Sequence, residues 1–381
     1  MTSLCFLLPT AWFLYKGVEV LFHHRSLRKV VSRIHVLGTR GKSQTVRLIL
    51  AGLRSGGIKA VGRITGEIPT LFDEKGNACL VPRRVPARIS EYLSLTRWAA
   101  QRGAEVLVSE CMAIRPELIR VTARMIRPQI TVLTNIRPDH CDVWGAGREG
   151  VAASIAAGVV GGKLFALRSE RIGELWGDIL EKTKTELLEV PDDYAKKYLE
   201  SPLPLSLHLG NLSLALKVCE HLGVEGRMAL RAMLQEKIPN SFGIWELTWA
   251  ERRFLFANAF TANDPHSTRI LLERALSFTG IPYLIGLFNN RSDRLFRVSL
   301  FADFVHSYHF SKVLLLGDPI PHWSRWFPGA VPLWGKRRPE AVWERALVSF
   351  QEVPLCFGFG NFKGMGAELV DWAQSHGRQL A

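Results

Sequence analysis

No two cysteines of this chain stand at the C-x-x-C spacing. Cys5, Cys79, Cys111, Cys141, Cys219 and Cys356 are scattered singly. That argues against a zinc ribbon and against a disulfide framework, and free thiols suit a reducing compartment. Low-complexity tracts and internal repeats are also missing. No basic stretch is interleaved with aromatics, so a nucleic-acid module is not indicated and nucleic acid is not expected as a partner. Acidic residues are in short supply, 35 against 49 Lys and Arg, which leaves a formal net charge of +14. Such a balance suits an anionic membrane face or an acidic substrate.

Long hydrophobic runs are scarce, with one near-exception. "LCFLLPTAWFLYKGVEVLF", Leu4 to Phe22, approaches the ~20 residues needed to span a bilayer, but Lys16 and Glu19 interrupt it. No basic region precedes it and no small-residue cleavage site ends it, so it does not read as a removed signal peptide. Arg25, Arg28, Lys29 and Arg33 follow it. The positive-inside rule then puts the rest of the chain on the cytoplasmic side. The segment is expected to be a membrane anchor or an amphipathic helix, which makes the cell membrane the expected location.

With 381 residues, 47% hydrophobic and 22% charged, the chain suits two globular domains. Apolar runs at 33–37, 60–66, 104–110, 130–136 and 162–168 read as strands, and 42–56, 86–102 and 208–222 as helices. Strands alternating with helices predict a parallel sheet covered on both faces. After "QEKIPNSFG" (235–243) the pattern restarts with "FLFANAF", "PYLIGLF", "KVLLLG" and "PLCFGFG". The expected division is an N-terminal segment over 1–25, a central α/β domain over 26–238 and a second α/β domain over 239–381.

The strongest motif is "GTRGKS" (38–43), between a strand and a helix. Backbone N–H groups of a glycine turn at a helix N-terminus form an anion site. Lys42 is suited to the β/γ-phosphates of a nucleotide and Ser43 to Mg²⁺. The match to G-x-x-x-x-G-K-[ST] is incomplete, since Val36 occupies the first glycine position. Glu110 ends a strand in "VSECMAIRPEL", where a carboxylate meets ligands and a hard cation. Asp139, His140 and Asp142 follow another strand in "TNIRPDHCDVWG" and suit a metal or a proton relay. The second half offers Asn263, Asp264, His266 and Ser267, and then Arg291, Asp293 and Arg294. Paired arginines grip carboxylates or phosphates, although an Arg/Asp loop taken alone is more often a surface ion network. Cys111 and Cys141 have no visible base partner and read as packing.

"GTRGKS", the "SECMA" strand end and the "DHCDVWG" loop together resemble the ATP-binding core of the Mur-ligase superfamily, whose members form amide bonds through acyl phosphates. "SECMAIRPE", "NLSLALKVCEHLG", "ANAFTANDPHST", "NNRSDR" and "GFGNFKGMGAEL" resemble one branch of it, the ligase subunits of poly-γ-glutamate synthases (PgsB/CapB type). The resemblance implies a Mur-ligase-like P-loop central domain and a C-terminal Rossmann-like α/β domain. It implies that Gly38, Thr39, Gly41, Lys42 and Ser43, with Arg40 and Gln44 of the same stretch, hold ATP. Ser43 and Glu110 would hold one Mg²⁺ and His140 a second. Asn211 matches an asparagine near the adenine. Asn263, Asp264, Arg291, Asp293 and Arg294 would face the crevice from the second domain, with Lys42, Glu110, His140 and Arg291 catalytic.

The implied partners are glutamate, an acidic polymer and membrane subunits of a synthase and export complex, and a homo-oligomer is compatible with this. There are departures. No room precedes residue 38 for a nucleotide-sugar domain, and no lysine is assigned as a carbamylated metal ligand. Leu207-His208 stands where the superfamily has His-Asn, and Arg137-Pro138 where the branch has Leu-Glu. The expected activity is ATP-dependent elongation of a γ-linked polyglutamate chain. A folylpolyglutamate-synthase-like ligase and a P-loop ATPase energising polymer export are the rival readings.

Overall fold

The computed structural model describes residues 2–380 other than 67–68, 82–87, 138–140, 146, 263, 336 and 349, and leaves the side chains of 2–10, 13, 141 and 142 undescribed. The chain divides into two compact units, one formed by 1–203 and 208–237 and the other by 204–207 and 238–381.

The first unit opens with α1 (Thr2–Lys29), β1 (Ser32–Leu37), α2 (Lys42–Ser55) and β2 (Ala60–Ile64). A short hairpin, β3 (Thr70–Phe72) and β4 (Ala78–Leu80), leads to α3 (Glu91–Gln101), β5 (Val106–Glu110), α4 (Pro116–Ile126) and β6 (Ile130–Leu133). Then come α5 (Cys141–Trp144), α6 (Gly147–Ala156), β7 (Gly162–Leu167), α7 (Ile172–Thr183), β8 (Thr185–Val190), α8 (Leu209–His221) and α9 (Gly226–Leu234). The strands form one sheet in the order β4-β3-β2-β5-β1-β6-β7-β8. The six from β2 to β8 are parallel, and the hairpin adds β3 and β4 antiparallel at the edge.

Local chemistry explains these elements. Val46, Ile49, Leu50 and Leu53 give α2 an apolar face at helical spacing, with Leu50 against Gly62 of β2, while Gly52 on another side of the helix lets α8 and α9 approach closely. Pro116 begins α4, where its missing N–H costs nothing. Glu225 caps α9 by accepting from the N–H groups of Arg227 and Met228. Leu37, Ile119, Leu133, Ile155 and Trp176 fill one part of the core, and Val30, Tyr92, Leu95, Leu107 and Ile126 fill another.

The second unit contains β9 (Ile244–Trp249), β10 (Arg252–Asn258), α10 (Pro265–Thr279), β11 (Leu284–Asn290), α11 (Phe296–His306), β12 (Lys312–Gly317) and α12 (Trp323–Trp326). It ends with β13 (Val331–Trp334), α13 (Pro339–Leu347), β14 (Leu355–Gly360), α14 (Met365–His376) and β15 (Arg378–Gln379). Its sheet runs β13-β12-β11-β14-β10-β9-β15, with β10 to β14 parallel and β9 and β15 antiparallel at one edge. Phe288, Phe301, Phe357 and Phe359 pack on one face, and Phe254, Phe256, Trp343 and Ala373 on the other.

The mostly parallel sheet that was expected forms, and its antiparallel edge carried no signal in the sequence, because β3 and β4 have three residues each, too few to show a period. The β9–β10 turn uses Ala250 and Glu251 at φ 47° and 62° rather than the usual Gly or Asn, so it carries no turn signature. At the N-terminus, Thr2–Lys29 is a single helix, and among the described residues no helix is long and apolar enough to cross a membrane. The side chains of 4–10 and 13, within the stretch Leu4–Phe22, lie outside the described residues. Lys16 and Glu19 fall within that stretch and pair at 2.7 Å. Just beyond it, His23 bonds the carbonyl of Met125 (2.8 Å) and the hydroxyl of Thr96 (3.1 Å), tying this end of α1 to the sheet unit.

Candidate active site

The site of the first unit lies where β1, β2, β5 and β6 end. Strand β1 sits between β5 and β6, with Val36 opposite Glu110 and Leu37 opposite Leu133. The turn after Leu37 therefore rises between Glu110 on one side and Thr134–Asn135 on the other. Gly38 has φ +123°, and a Cβ there would collide with Thr134 Oγ1. Gly41 has φ +80°, and a Cβ there would run into the Asn211 side chain. Both positions combine a left-handed backbone with a close approach, so only glycine fits them.

Asn135 fixes the turn. Its Oδ1 accepts from the Thr39 hydroxyl (2.7 Å) and the Arg40 N–H (3.2 Å), and its Nδ2 donates to the Arg40 carbonyl (3.0 Å). Its own carbonyl takes the Thr39 N–H at 3.1 Å. The Thr39 hydroxyl accepts in turn from the Arg137 N–H (3.1 Å). On the far side, Gln44 Oε1 accepts from Asn211 Nδ2 (2.9 Å) and the His208 N–H (3.2 Å). Asn211 thus stands behind Gly41 as a buttress, its side chain spent on Gln44.

Helix α2 starts at Lys42 with no acidic residue in its first turn and no side-chain cap, which leaves the positive end of its dipole for an anion. Lys42 Nζ folds back over the turn and donates to the carbonyls of Gly38 (2.7 Å) and Thr39 (3.3 Å). Beside it, Ser43 Oγ donates to Glu110 Oε2 (2.8 Å), and the same oxygen accepts from the Thr65 N–H (2.9 Å). Glu110 is buried. A cavity of about 220 Å³ opens here, with Gly38, Lys42, Thr65 and Glu110 on its polar side and Met112 and Ile114 on its apolar side.

Tyr92 supports Glu110 from beneath. Its hydroxyl donates to the Glu110 carbonyl (2.8 Å) and accepts from the Met112 N–H (3.1 Å), so one buried phenol clamps both flanks of the strand end. Burial raises the Tyr92 pKa well above its ordinary value, so it stays a neutral donor. Next to it, His35 bonds Ser109 Oγ through Nδ1 (3.1 Å) and is wholly buried. Burial pushes its pKa down to about 4, with the Ser109 contact opposing. Cys111 also borders the cavity, and burial raises its pKa, consistent with a packing thiol rather than a nucleophile.

Gly38, Thr39, Arg40, Gly41, Lys42, Ser43, Gln44, Glu110 and Asn211 are therefore brought together in one place. His140 and Asp139 lie outside the described residues, as does Asn263, and the side chain of Asp142 is not described. Among the described residues no group of three or more His, Cys, Asp or Glu could hold a metal ion. Ser43 and Glu110 form a two-oxygen set that fits Mg²⁺ by donor chemistry, since hard cations take hydroxyl and carboxylate oxygens. Asn135, Thr65 and Tyr92 were missed as site residues. Asn135 had a readable signal, a lone amide directly after a buried strand in "TVLTNI". Tyr92 had none, because its apolar ring matches a helix core position.

In the second unit, Asp264 caps α10 by accepting from the Ser267 N–H at 2.8 Å. Arg291 donates to Asp293 Oδ2 (2.8 Å), and Arg294 Nε lies 4.0 Å from the same oxygen. All three side chains are partly exposed, so here the two guanidinium groups share one carboxylate.

The ends of β11 and β14 are joined more firmly. Asn289 Nδ2 donates to the carbonyls of Asn361 (2.5 Å) and Lys363 (3.0 Å), and Asn361 Nδ2 returns a bond to the Asn289 carbonyl (3.1 Å). Buried Arg297 donates to Asn361 Oδ1 at 2.7 Å. These buried asparagines stand in "FNNRSDR" and "GFGNFKG", beside the charged residues that drew attention in the sequence.

Residues 244–376 match the family described as poly-gamma-glutamate synthase CapB C-terminal domain. The capsule biosynthesis protein CapB of Bacillus anthracis is 28% identical over 384 residues, covering 95% of this chain and 81% of that protein. The PGA synthase CapB of Bacillus subtilis (strain 168) is 28% identical over 309 residues, covering 78% of this chain and 77% of its own length. Among solved structures, a bifunctional folylpolyglutamate synthase/dihydrofolate synthase with Mn, AMPPNP and L-glutamate bound aligns with a TM-score of 0.63. It is 15% identical, over 92% of this chain and 91% of that one, a likeness of fold.

Proposed function

We propose that this chain, which is similar to CapB proteins over most of its length and has the fold of folylpolyglutamate synthases, is an ATP-dependent amide ligase that elongates a γ-linked polyglutamate chain. The observation that carries the reading is the arrangement around Glu110. A buried carboxylate, a helix-initial Ser43 and Lys42 surround a glycine turn whose backbone N–H groups suit phosphate. The relatives named as CapB and PGA synthase supply the substrate class, an acidic amino-acid polymer.

The 1–237 part, apart from 204–207, is proposed as the ATP-binding domain, and the remainder as the ligase domain that receives glutamate. Ser43 and Glu110 would hold Mg²⁺, which when bound neutralises charge on the β- and γ-phosphates. Lys42 binds the same phosphates and stabilises charge as the γ-phosphoryl group leaves ADP. The acceptor is the carboxylate at the polymer end. One of its oxygens bonds to the γ-phosphorus while the bond to the β–γ bridging oxygen breaks, giving ADP and an acyl phosphate. The amine of an incoming glutamate then attacks the acyl carbon, and inorganic phosphate departs. Arg291 is assigned to the carboxylate of glutamate, for which it would exchange Asp293. His140 and Asn263 keep their proposed places as second metal ligand and crevice residue. Membrane subunits and self-association belong to the same proposal.

The test mixes purified protein, ATP and Mg²⁺ with a short γ-glutamyl oligomer and each amino acid in turn. ADP formation that requires both glutamate and the oligomer supports the ligase. ADP formation independent of any amino acid would instead point to an export motor, and a requirement for a folate acceptor would point to the folate branch. Lys42→Ala should lower the glutamate-dependent rate about 10²- to 10³-fold while the protein stays folded. Near-wild-type turnover in that variant would sink the assignment of the turn.

A further inference from the structure

The loop that joins β5 to α4 supplies the apolar wall of the cavity beside Glu110, through Met112, Ala113 and Ile114. Two buried aromatics pin that loop. The Tyr92 hydroxyl accepts from the Met112 N–H (3.1 Å), and Trp144 Nε1 donates to the Ile114 carbonyl (2.6 Å). The Cys111 N–H donates to the Val36 carbonyl (3.0 Å) and fastens the start of the loop to β1. A wall held at both ends is a built surface and not a slack connection.

Its side chains nevertheless stay open. Ile114 is 36% exposed and Met112 is half-buried, whereas Trp144 behind them is buried. Lys42 and Thr65 stand on the polar side of the same cavity. An occupant that satisfies both sides carries an anionic end and a short aliphatic run. The cavity, about 220 Å³, falls below the roughly 300–1,000 Å³ of pockets that enclose a drug-sized ligand. It therefore suits the end of a chain. Two methylenes separate the α-carbon of a terminal γ-glutamyl unit from its reacting carboxylate, and only one does so in a terminal aspartyl unit.

We propose that this cavity receives the terminal glutamyl unit of the acceptor chain, and that Met112 and Ile114 select it by the length of its two-methylene arm. The carboxylate turns to the Lys42 side, the methylenes lie along Met112 and Ile114, and the rest of the chain leaves through the mouth. Trp144 is a positioning residue, since it acts through the Ile114 carbonyl. This assignment rests on the ligase reading and adds to it how the acceptor is chosen.

The protein is assayed with ATP, Mg²⁺, glutamate and either a short γ-glutamyl oligomer or the same oligomer ending in aspartate. kcat/KM for the glutamyl end should exceed that for the aspartyl end about 10- to 200-fold, the worth of one methylene against an apolar wall. Met112→Ala with Ile114→Ala should bring the ratio close to one by raising KM for the glutamyl oligomer, with KM for ATP unchanged. Trp144→Phe, which keeps an aromatic ring but removes the donor to Ile114, should lower the ratio as well. Met112→Leu with Ile114→Val keeps the wall apolar and should retain selectivity. Cooperative thermal unfolding checks that each variant is folded. A wild-type ratio near one, or an unchanged ratio in the folded double-alanine variant, would overturn the pocket while glutamate-dependent ADP formation left the ligase reading standing. A rise in KM for ATP instead of the oligomer would give the wall to the nucleotide and also overturn it. Equilibrium dialysis of labelled oligomer separates the remaining case: binding that Met112→Ala with Ile114→Ala abolishes, without any ADP formation, would support the pocket and reject the ligase.

Discussion

Glu110 accepts two hydrogen bonds on one oxygen, while Tyr92 holds its backbone in place. A carboxylate aimed in this way binds a cation well only while its backbone stays still, so Tyr92 should matter without touching ligand. Tyr92→Phe removes the donor to the Glu110 carbonyl and leaves the Met112 N–H unpaired. The expected result is a rise of about 10- to 100-fold in the Mg²⁺ concentration needed for half-maximal activity, with KM for glutamate little changed. Titrating Mg²⁺ at saturating ATP measures it, and an unchanged Mg²⁺ dependence would show that Tyr92 only fills space. His35 makes a second prediction at this scale. Its pKa when folded, about 4, lies below the ordinary 6.5, so the unfolded chain takes up the proton first. The stability linked to neutral His35 is complete above pH 6.5 and is lost as the pH falls towards 4. Urea midpoints across that window should decline in wild type and decline less steeply in His35→Asn. Lys42, Ser43 and Glu110 were legible because charge or a hydroxyl beside a glycine turn or strand end is uncommon in a packed segment. Tyr92 and His35 were not, since buried polar atoms on core side chains leave no periodic trace.

At the scale of the element, α2 and its preceding turn act as one device. The first turn of the helix lacks acidic side chains and a cap, Gly41 enters it from a left-handed conformation, and Asn211 of α8 presses against the glycine. Gly41→Ala should therefore tilt the turn away from its N–H alignment. The backbone strain alone is about 1–2 kcal/mol, and the collision with Asn211 adds to it. Nucleotide binding, followed by fluorescence of an ATP analogue, should weaken sharply while the circular dichroism of the sheet persists. Wild-type affinity in that variant would show that the N–H groups do not bind phosphate. The long parallel strands were readable as buried apolar runs, and α2 from the spacing of Val46, Ile49 and Leu53. The hairpin of β3 and β4 was not, and neither was β9, whose pairing is specified by β10 and a two-residue turn rather than by its own sequence. The first segment is a helix, as expected, and its apolar content carried no sign that His23 ties its C-terminal end to Thr96 and Met125.

For the molecule as a whole, the claim is that ATP is spent on activating a carboxylate and not on motion. The excess of cations suits an acidic polymer, and the proposal gives phosphate chemistry to the first unit and the amino acid to the second. The sequence places a boundary at 238/239 from the Pro, Asn and Gly residues there, and the compact units part at 237/238, whereas the attachment of residues 204–207 to the second unit has no signal in the sequence, because it depends on packing far along the chain. The most direct measurement uses a γ-glutamyl oligomer whose terminal carboxylates carry oxygen-18, together with ATP, Mg²⁺ and glutamate. An acyl-phosphate route transfers one labelled oxygen to inorganic phosphate and leaves ADP unlabelled. The account predicts one label per amide bond formed, with ADP as the nucleotide product. Unlabelled phosphate, or AMP and pyrophosphate in place of ADP, would contradict it.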